Sequence, residues 1–573
     1  MAGLTSISEI DLSPPLGKTY FNTDREWREE FIYFLMVDRC HDDQPRAAPK
    51  QPGRTQGIST PNNFYGGKIK GITQNLDYIA GLGCTAIWLS PVFENNDGAY
   101  HGYNTNNYLN IDPRFGTKQD LIDLVQAAHA FVKDGKPFPI RIILDVVINH
   151  SGDNWTYPGG HSYNYSNDQQ FDFGAWRRPD RPIPVELRDS DLYHRRGDIT
   201  GNGWDSYPER QHGDLVGLKD YANDDDAAGS ELINILIKIH CYWIREADID
   251  GFRVDAVKHM GELACSRFCS NVREYAYSLG KRGFFLFGEL ASHDDDLYNR
   301  YIGQNTSVQE GSKTVFFGIN SLLDFRLAAG KYNDDDAAPF REVIKGNKGP
   351  QSLFNRLSAQ RDRALNRGEI GRFLVTFVDN HDGFWQGDAR FGAHASTGQI
   401  VGAMGFLLCA LGTPCIYYGT EQGFSGSGHG DNGMREAMFD LATPGKNLLN
   451  TDCTIYKAIA AISGVVRALN PLRFGRMYYR ELSGDGVNFG LPYGSDYTLA
   501  FSRILYGREV LVAYNVSSHA RNDCVLIDGT LYDSGDSLHY LYGATGAVTV
   551  QKTGEGIRFV RLPLTGHQFV ILA

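Results

Sequence analysis

Short, wholly apolar runs separated by longer stretches of helical spacing set the pattern of the first three quarters of the chain. Residues 31–38 (FIYFLMVD), 84–92 (CTAIWLSPV) and 140–148 (IRIILDVVI) are apolar on both alternations, as strands buried on both faces are. Similar runs recur at 250–256, 284–290, 314–319, 373–379 and 414–419. Between them, segments such as 72–82, 119–132 and 231–246 carry apolar residues at helical spacing, and Gly83 suits the stop of the first. Buried strands interleaved with helices predict a parallel sheet, and eight is the number that closes a (β/α)8 barrel.

Two stretches break this alternation. Residues 151–230, between the third and fourth strands, are dense in Asn, Asp, Gly, Tyr and Trp with little periodicity, and predict a loop-rich insertion domain. From about Met477 the pattern changes to period-two segments such as TLAFSRIL and EVLVAYNV, the mark of an all-β module. The expected organisation is an arm over 1–30, a barrel over 31–150 and 231–470, the insertion over 151–230, and an antiparallel β-sandwich over 471–573. One run, 400–418, imitates a membrane span, being uncharged over 19 residues. Gly412-Thr413-Pro414 divides it, so a buried helix, a turn and a buried strand are expected, and no membrane association.

Composition narrows the function. Lys plus Arg number 56 against 68 Asp plus Glu, a net charge of −12, which disfavours a phosphate-coated partner and so nucleic acid. Nine cysteines, odd in number and without a CxxC pair, indicate neither a disulfide framework nor a zinc site. The N-terminus has no basic stretch followed by an apolar one, so a cytoplasmic location is expected, or a secreted one if a leader was trimmed. With an arm of 30 residues and a last residue at 573, neither a further N-terminal domain nor a trailing starch-binding module is expected.

The candidate chemistry lies where the strands end. The third gives Asp145, Asn149 and His150, the fourth Arg253, Asp255, Lys258 and His259, the fifth Glu289, and the seventh Asp379, Asn380, His381 and Asp382. A lone acid at a strand end is commonly a cap or a solvated loop residue. Four such clusters converging on one barrel mouth point to an active site. Carboxylates with Arg and His nearby suit glycosidic bond cleavage, which needs one carboxylic acid to protonate the leaving oxygen and one carboxylate to attack the anomeric carbon. Arg253 lies two residues before Asp255, on the same strand face, where its charge favours the ionised form. Glu289 ends a strand of Phe and Leu, a setting that raises the pKa of an acid catalyst.

These blocks, DVVINH, GFRVDAVKH, FGEL and FVDNHD in this order, resemble the four signature regions of the α-amylase family, glycoside hydrolase family 13. Tyr100-His101-Gly102-Tyr103 and GTPCIYYGTEQ (412–422) match further segments, so the resemblance spans about 31–440. It implies a retaining enzyme acting on α-glucosidic linkages, most simply α-1,4, of maltooligosaccharides, starch-type glucans or cyclodextrins. By position it implies Asp255 as nucleophile, Glu289 as general acid/base and Asp382 as the third carboxylate. Arg253 would orient Asp255, while His150, His381 and Tyr103 would line the −1 subsite. Lys258 and His259 would touch the sugar on the leaving-group side, and Asp145 would support the mouth. The resemblance implies no cofactor for the chemistry. It does imply a structural Ca²⁺ held by Asn149 and the His259 carbonyl with an acid from the insertion, whose usual position is occupied by Gly217 in LVGLKD. The acidic runs 224–226 and 294–296 lack loop-ligand spacing and read as solvated faces. A transglycosylase of the same family and a catalytically silent sugar-binding relative remain as alternatives. A metal-dependent hydrolase is disfavoured, because the strand ends lack its His/Asp ligand set. Oligomeric state is not legible.

Overall fold

The computed structural model describes residues 3–573 apart from 48–56, 59–62, 180, 225, 303–306, 311–312, 317–318, 332, 363–373, 384–389, 427–430 and 444. Its centre is an eight-stranded parallel sheet. In chain order the strands are β1 (Ile32–Leu35), β2 (Ala86–Leu89), β3 (Arg141–Val146), β4 (Gly251–Val254), β5 (Phe285–Gly288), β6 (Ser321–Leu322), β7 (Val375–Thr376) and β8 (Thr413–Tyr417). Each pairs with its sequence neighbour, and β1 also pairs with β8. A parallel bridge between Leu323 and Val375, just past β6, closes the ring into a (β/α)8 barrel. Every residue of β1 to β5 is buried, which explains their unbroken apolar runs.

One strand expectation fails. The sixth strand is not 314–319: Lys313–Phe316 pairs antiparallel with Ser307–Glu310 in a hairpin outside the barrel. The barrel uses the shorter Ser321–Leu322 instead. Both segments are apolar and only a few residues apart, so periodicity alone could not choose between them. For the seventh, the start of 373–379 lies outside the described residues, and the strand itself is Val375–Thr376. The membrane-like run resolves as expected into the helix Thr397–Cys409 and the buried strand β8. No helix among the described residues is long and apolar enough to cross a membrane.

The N-terminal arm packs against the end of the barrel opposite the polar strand ends. Trp27 stacks on Phe285 at 4.3 Å, and buried Glu30 pairs with Arg141 at 3.1 Å and Arg25 at 3.3 Å. After β3 the chain runs through short bridges and single helical turns around an aromatic cluster of Trp155, Tyr157, Tyr193 and Tyr221. His150–Ser151 pairs antiparallel with Lys219–Asp220, which ties the end of this insertion to its beginning. The C-terminal part is a nine-stranded antiparallel arrangement running from Arg476 to Leu572, with its own hydrophobic cluster around Leu511, Val525 and Val560. Arg503 fastens it to the barrel by donating to the Cys409, Ala410 and Gly475 carbonyls at 2.6, 2.7 and 3.0 Å. All nine cysteines are buried thiols outside any disulfide.

Candidate active site

The barrel register assembles the site. Arg253 on β4 lies directly opposite Asp145 on β3, so both side chains point to the same face of the sheet. The next residues continue the ladder: the Asp255 amide donates to the Val146 carbonyl at 2.9 Å, and the Glu289 amide to the Val254 carbonyl at 2.9 Å. Three carboxylates therefore reach one guanidinium. Arg253 Nη1 bonds Asp145 Oδ1 at 2.8 Å and Asp255 Oδ1 at 2.6 Å, and Nη2 bonds Glu289 Oε2 at 2.7 Å. Arg253 is fully buried, between the rings of Trp88 and Tyr103 at 5.3 and 5.7 Å.

Local backbone fixes these positions. Ala256 adopts φ +51, which a non-glycine residue reaches only at a cost of about 1–2 kcal/mol. There its N–H donates to Glu289 Oε2 at 3.2 Å, so the strained turn after Asp255 holds the neighbouring acid. Gly288 precedes Glu289 because a Cβ there would lie 2.7 Å from both Ile319 and Val257. Gly102 has φ +90 with the Pro91 carbonyl against its bare face, and this turn delivers Tyr103 to the mouth.

The second half comes from β7 and the loop after β8. Tyr103 Oη donates to Asp145 Oδ2 at 2.9 Å and is 2.7 Å from His381 Nε2, on which it also stacks. His381 Nε2 lies 3.3 Å from Asp382 Oδ2. Asp382 is held from its other oxygen by Arg435 Nη2 at 2.7 Å, while Arg435 Nε donates to the His381 carbonyl at 3.0 Å. Asp379 faces away, accepting from the Phe391 amide and Thr420 Oγ1, and is structural.

The candidates thus fall into one network and a flank. Asp145, Arg253, Asp255, Glu289, Tyr103, His381 and Asp382 are joined by direct contacts. His150 is buried beside the Tyr103 backbone, with neither ring nitrogen in a close hydrogen bond, so the ring has capacity left for a ligand or water. Lys258 and His259 lie on the flank facing the insertion: Lys258 Nζ pairs with Asp205 at 2.6 Å, and His259 Nδ1 is 2.7 Å from the Arg210 carbonyl. Sequence reasoning missed Arg435, Trp88 and Asp205. Trp88 donates to Asp145 at 3.0 Å and sits in an apolar strand where nothing marks its N–H as used. Asp205 ends the short 3-10 helix Gly201–Asp205 and Arg435 follows another, Asp431–Met434, and only the three-dimensional arrangement shows their partners.

Charge bookkeeping separates the carboxyls. Burial raises Asp145, Asp255 and Glu289, and Arg253 opposes it for all three. One cation cannot balance three anions, so one acid keeps its proton near neutrality. Glu289 is raised furthest, to about 7, and Asp255 to about 6. Burial also lowers His150 to about 3, with His259 adding to the effect, so His150 is a neutral imidazole.

The residues expected to hold calcium do not make an oxygen cage. Asn149 Oδ1 is buried without a partner, but its Nδ2 donates to Asp220 Oδ1 at 3.2 Å. Gly217 offers no side chain, and its amide is engaged by Asp198 at 2.7 Å. Asp220 gives its other oxygen to His194 Nδ1 at 2.6 Å, and Lys219 lies 3.4 Å from Asp214. The one acid at Asn149 is already bonded to an amide and a histidine and Gly217 adds no side-chain oxygen, so this donor set does not fit a hard cation wanting six to eight oxygens.

Comparison with known proteins follows the same lines. A family model described as the α-amylase catalytic domain matches residues 34–444. An α-amylase of Streptomyces lividans is 28% identical, covering 89% of this chain and 58% of its own. A cyclomaltodextrin glucanotransferase of Klebsiella oxytoca is 27% identical, covering 76% and 66%. The chain therefore spans less than two thirds of the length of either relative. Among solved structures, an α-amylase of Anoxybacillus superposes with a TM-score of 0.69 at 25% identity, covering 96% of this chain and 99% of that one.

Proposed function

The chain belongs to the α-amylase family, glycoside hydrolase family 13, and on that premise we propose that it cleaves α-glucosidic bonds by double displacement. The observation that carries this reading is the single buried guanidinium of Arg253 shared by Asp145, Asp255 and Glu289. Asp255, ionised, attacks the anomeric carbon while Glu289 protonates the departing oxygen, giving a glycosyl ester on Asp255. Glu289, now a carboxylate, takes a proton from water, whose oxygen displaces Asp255 and restores the starting configuration. Such a pair works when its carboxyls stand about 5–5.5 Å apart, and tethering to one arginine favours a short separation. Asp382, steadied by Arg435 and His381, would grip sugar hydroxyls, and the buried His150 imidazole would bond the same sugar. Tyr103 offers its ring as a floor for it. Carboxyl groups and water supply every proton and electron pair, so this reading needs no cofactor. The donor set at Asn149 argues against calcium as its support.

The substrate class we infer is α-1,4-linked glucan. A second reading, transfer to a sugar hydroxyl in place of water, is favoured by the Klebsiella oxytoca glucanotransferase among the relatives. Both share the glycosyl ester and differ in what resolves it. Incubation with maltooligosaccharides, cyclodextrins, isomaltose-type sugars, trehalose and sucrose, followed over time, separates them. Hydrolysis gives only shorter products; transfer gives longer or cyclic ones early. Proton NMR of the first product should show the α anomer, and release of the β anomer would overturn the double displacement.

A further inference from the structure

Where the insertion meets the barrel, away from Arg253, two histidines and an aspartate converge. His194 Nε2 lies 3.1 Å from Asp224 Oδ2, and His212 Nε2 lies 3.3 Å from Asp224 Oδ1. The ligating atoms of all three fall within 4.8 Å of one another, and the imidazole rings face each other at 4.4 Å. A tetrahedral ion with bonds of about 2.0–2.1 Å spaces its ligands about 3.3 Å apart; the two imidazoles face different oxygens of Asp224, so a small side-chain shift has to close the triangle from its present span of up to 4.8 Å. Two imidazoles and a carboxylate suit zinc and neighbouring divalent transition metals rather than calcium.

A second feature points the same way. Asp220, fully buried, bonds His194 Nδ1 at 2.6 Å, and its other oxygen accepts from Asn149 at 3.2 Å. Holding one imidazole nitrogen with a carboxylate while the other faces a ligand site is how proteins orient metal-binding histidines. His194 and His212 are largely buried, whereas Asp224 is about half exposed, which leaves an entry path and a place for water as fourth ligand. The acidic run 224–226 is therefore more than a solvated face at Asp224; Asp225 lies outside the described residues.

We propose that His194, His212 and Asp224 form a divalent transition-metal site that ties two turns of the insertion to its last residues, just ahead of the helix that leads back into the barrel. His194 follows the turn Ser190–Leu192, His212 ends the short helix Glu209–His212, and Asp224 stands just before the helix Ala227–Ala247. The ion would close the loop 195–211. That loop carries Asp205, paired with Lys258 at 2.6 Å, and Trp204, edge-on to His259 at 5.6 Å. Metal loading would thus set one wall of the glucan cleft.

Cobalt(II) titration of chelator-stripped full-length protein tests this. The expected result is one ion per chain with the visible bands of low-coordinate cobalt, displaced by Zn²⁺ and not by Ca²⁺, and a higher melting temperature on loading. His212→Ala should weaken binding at least tenfold, within the range of a lost ligand or its support. Asp224→Asn, at a half-exposed position, provides a second variant if His212→Ala folds poorly, and should also lose affinity. Equal cobalt binding by wild type and both variants, or absence of the bands in wild type, would overturn the site and leave a hydrogen-bonded His–Asp cluster. The readout is independent of glucan turnover, so its failure leaves the glycosidase reading untouched.

Discussion

At the scale of single residues, the shared guanidinium predicts a division of labour between two acids. Glu289 must carry its proton to act, and its pKa stands at about 7; Asp255 must be ionised, and stands at about 6. Activity should therefore fall as pH drops through the Asp255 value and again as it rises through the Glu289 value. Glu289→Gln should be nearly inactive on starch yet retain turnover on an activated aryl glucoside, with the alkaline limb gone and azide yielding an α-glucosyl azide. Equal loss on both substrates with no azide adduct would move the proton donor elsewhere. Asp255→Asn should lose of order 10³-fold or more on both, because no ester can form. Arg435 is a positioning residue: it spans Asp382 and the His381 carbonyl with two nitrogens of one rigid plane. A misplacement of about 1 Å at such a site costs on the order of 10²-fold. Arg435→Ala should lower kcat by that order. Arg435→Lys should rescue little of it, since an ammonium cannot make both bonds. Rescue by lysine to wild-type rates would reduce Arg435 to a mere counter-charge.

At the scale of elements, what was legible in the sequence followed burial. Strands β1 to β5 and β8 are apolar on both faces, and their runs gave them away; the acids at their ends stood out because the runs around them are so uniform. One of the two shortest strands escapes the pattern, because the two residues of β6 carry too little of it to compete with the hairpin segment before them. The site was readable where it sits on strand ends. Arg435 and Asp205 stand away from the strand ends, and their partners come from strands far off in sequence, so no local spacing announces them. The junction with the C-terminal module was equally silent. Arg503 reads as the polar member of an alternating strand, yet it is buried and caps the last carbonyls of the helix Thr397–Cys409. Arg503→Met would leave these carbonyls without a donor, at a cost of about 1–3 kcal/mol for each one left unsatisfied. Calorimetry should then show an early transition from the C-terminal module, and limited proteolysis should cut near 475. An unchanged melting curve would mean the junction is held by apolar packing alone.

At the scale of the whole molecule, the buried acids of the mouth oppose stability. Their folded pKa values lie above those of an unfolded chain, near 4. Between that value and about 7 these acids hold more protons in the folded chain than in the unfolded one, so their contribution to stability falls as pH rises through this window, opposite in sign to that of the buried neutral imidazole of His150. Glu289→Gln removes one such group while leaving Arg253 two anions. It should melt higher than wild type above the Glu289 value and show little advantage below about pH 4. A lower melting temperature at high pH would mean the acid is held by bonds stronger than its burial cost. The nine buried thiols have a different consequence, one of time rather than energy. With no crosslink to strain and no thiol at the surface, the native state is indifferent to the thiol–disulfide poise around it. A chain that opens globally exposes all nine together, and any two can then join in pairings the fold never uses. Heat inactivation under air should therefore be a ratchet, whereas the same excursion under a reductant stays reversible for longer.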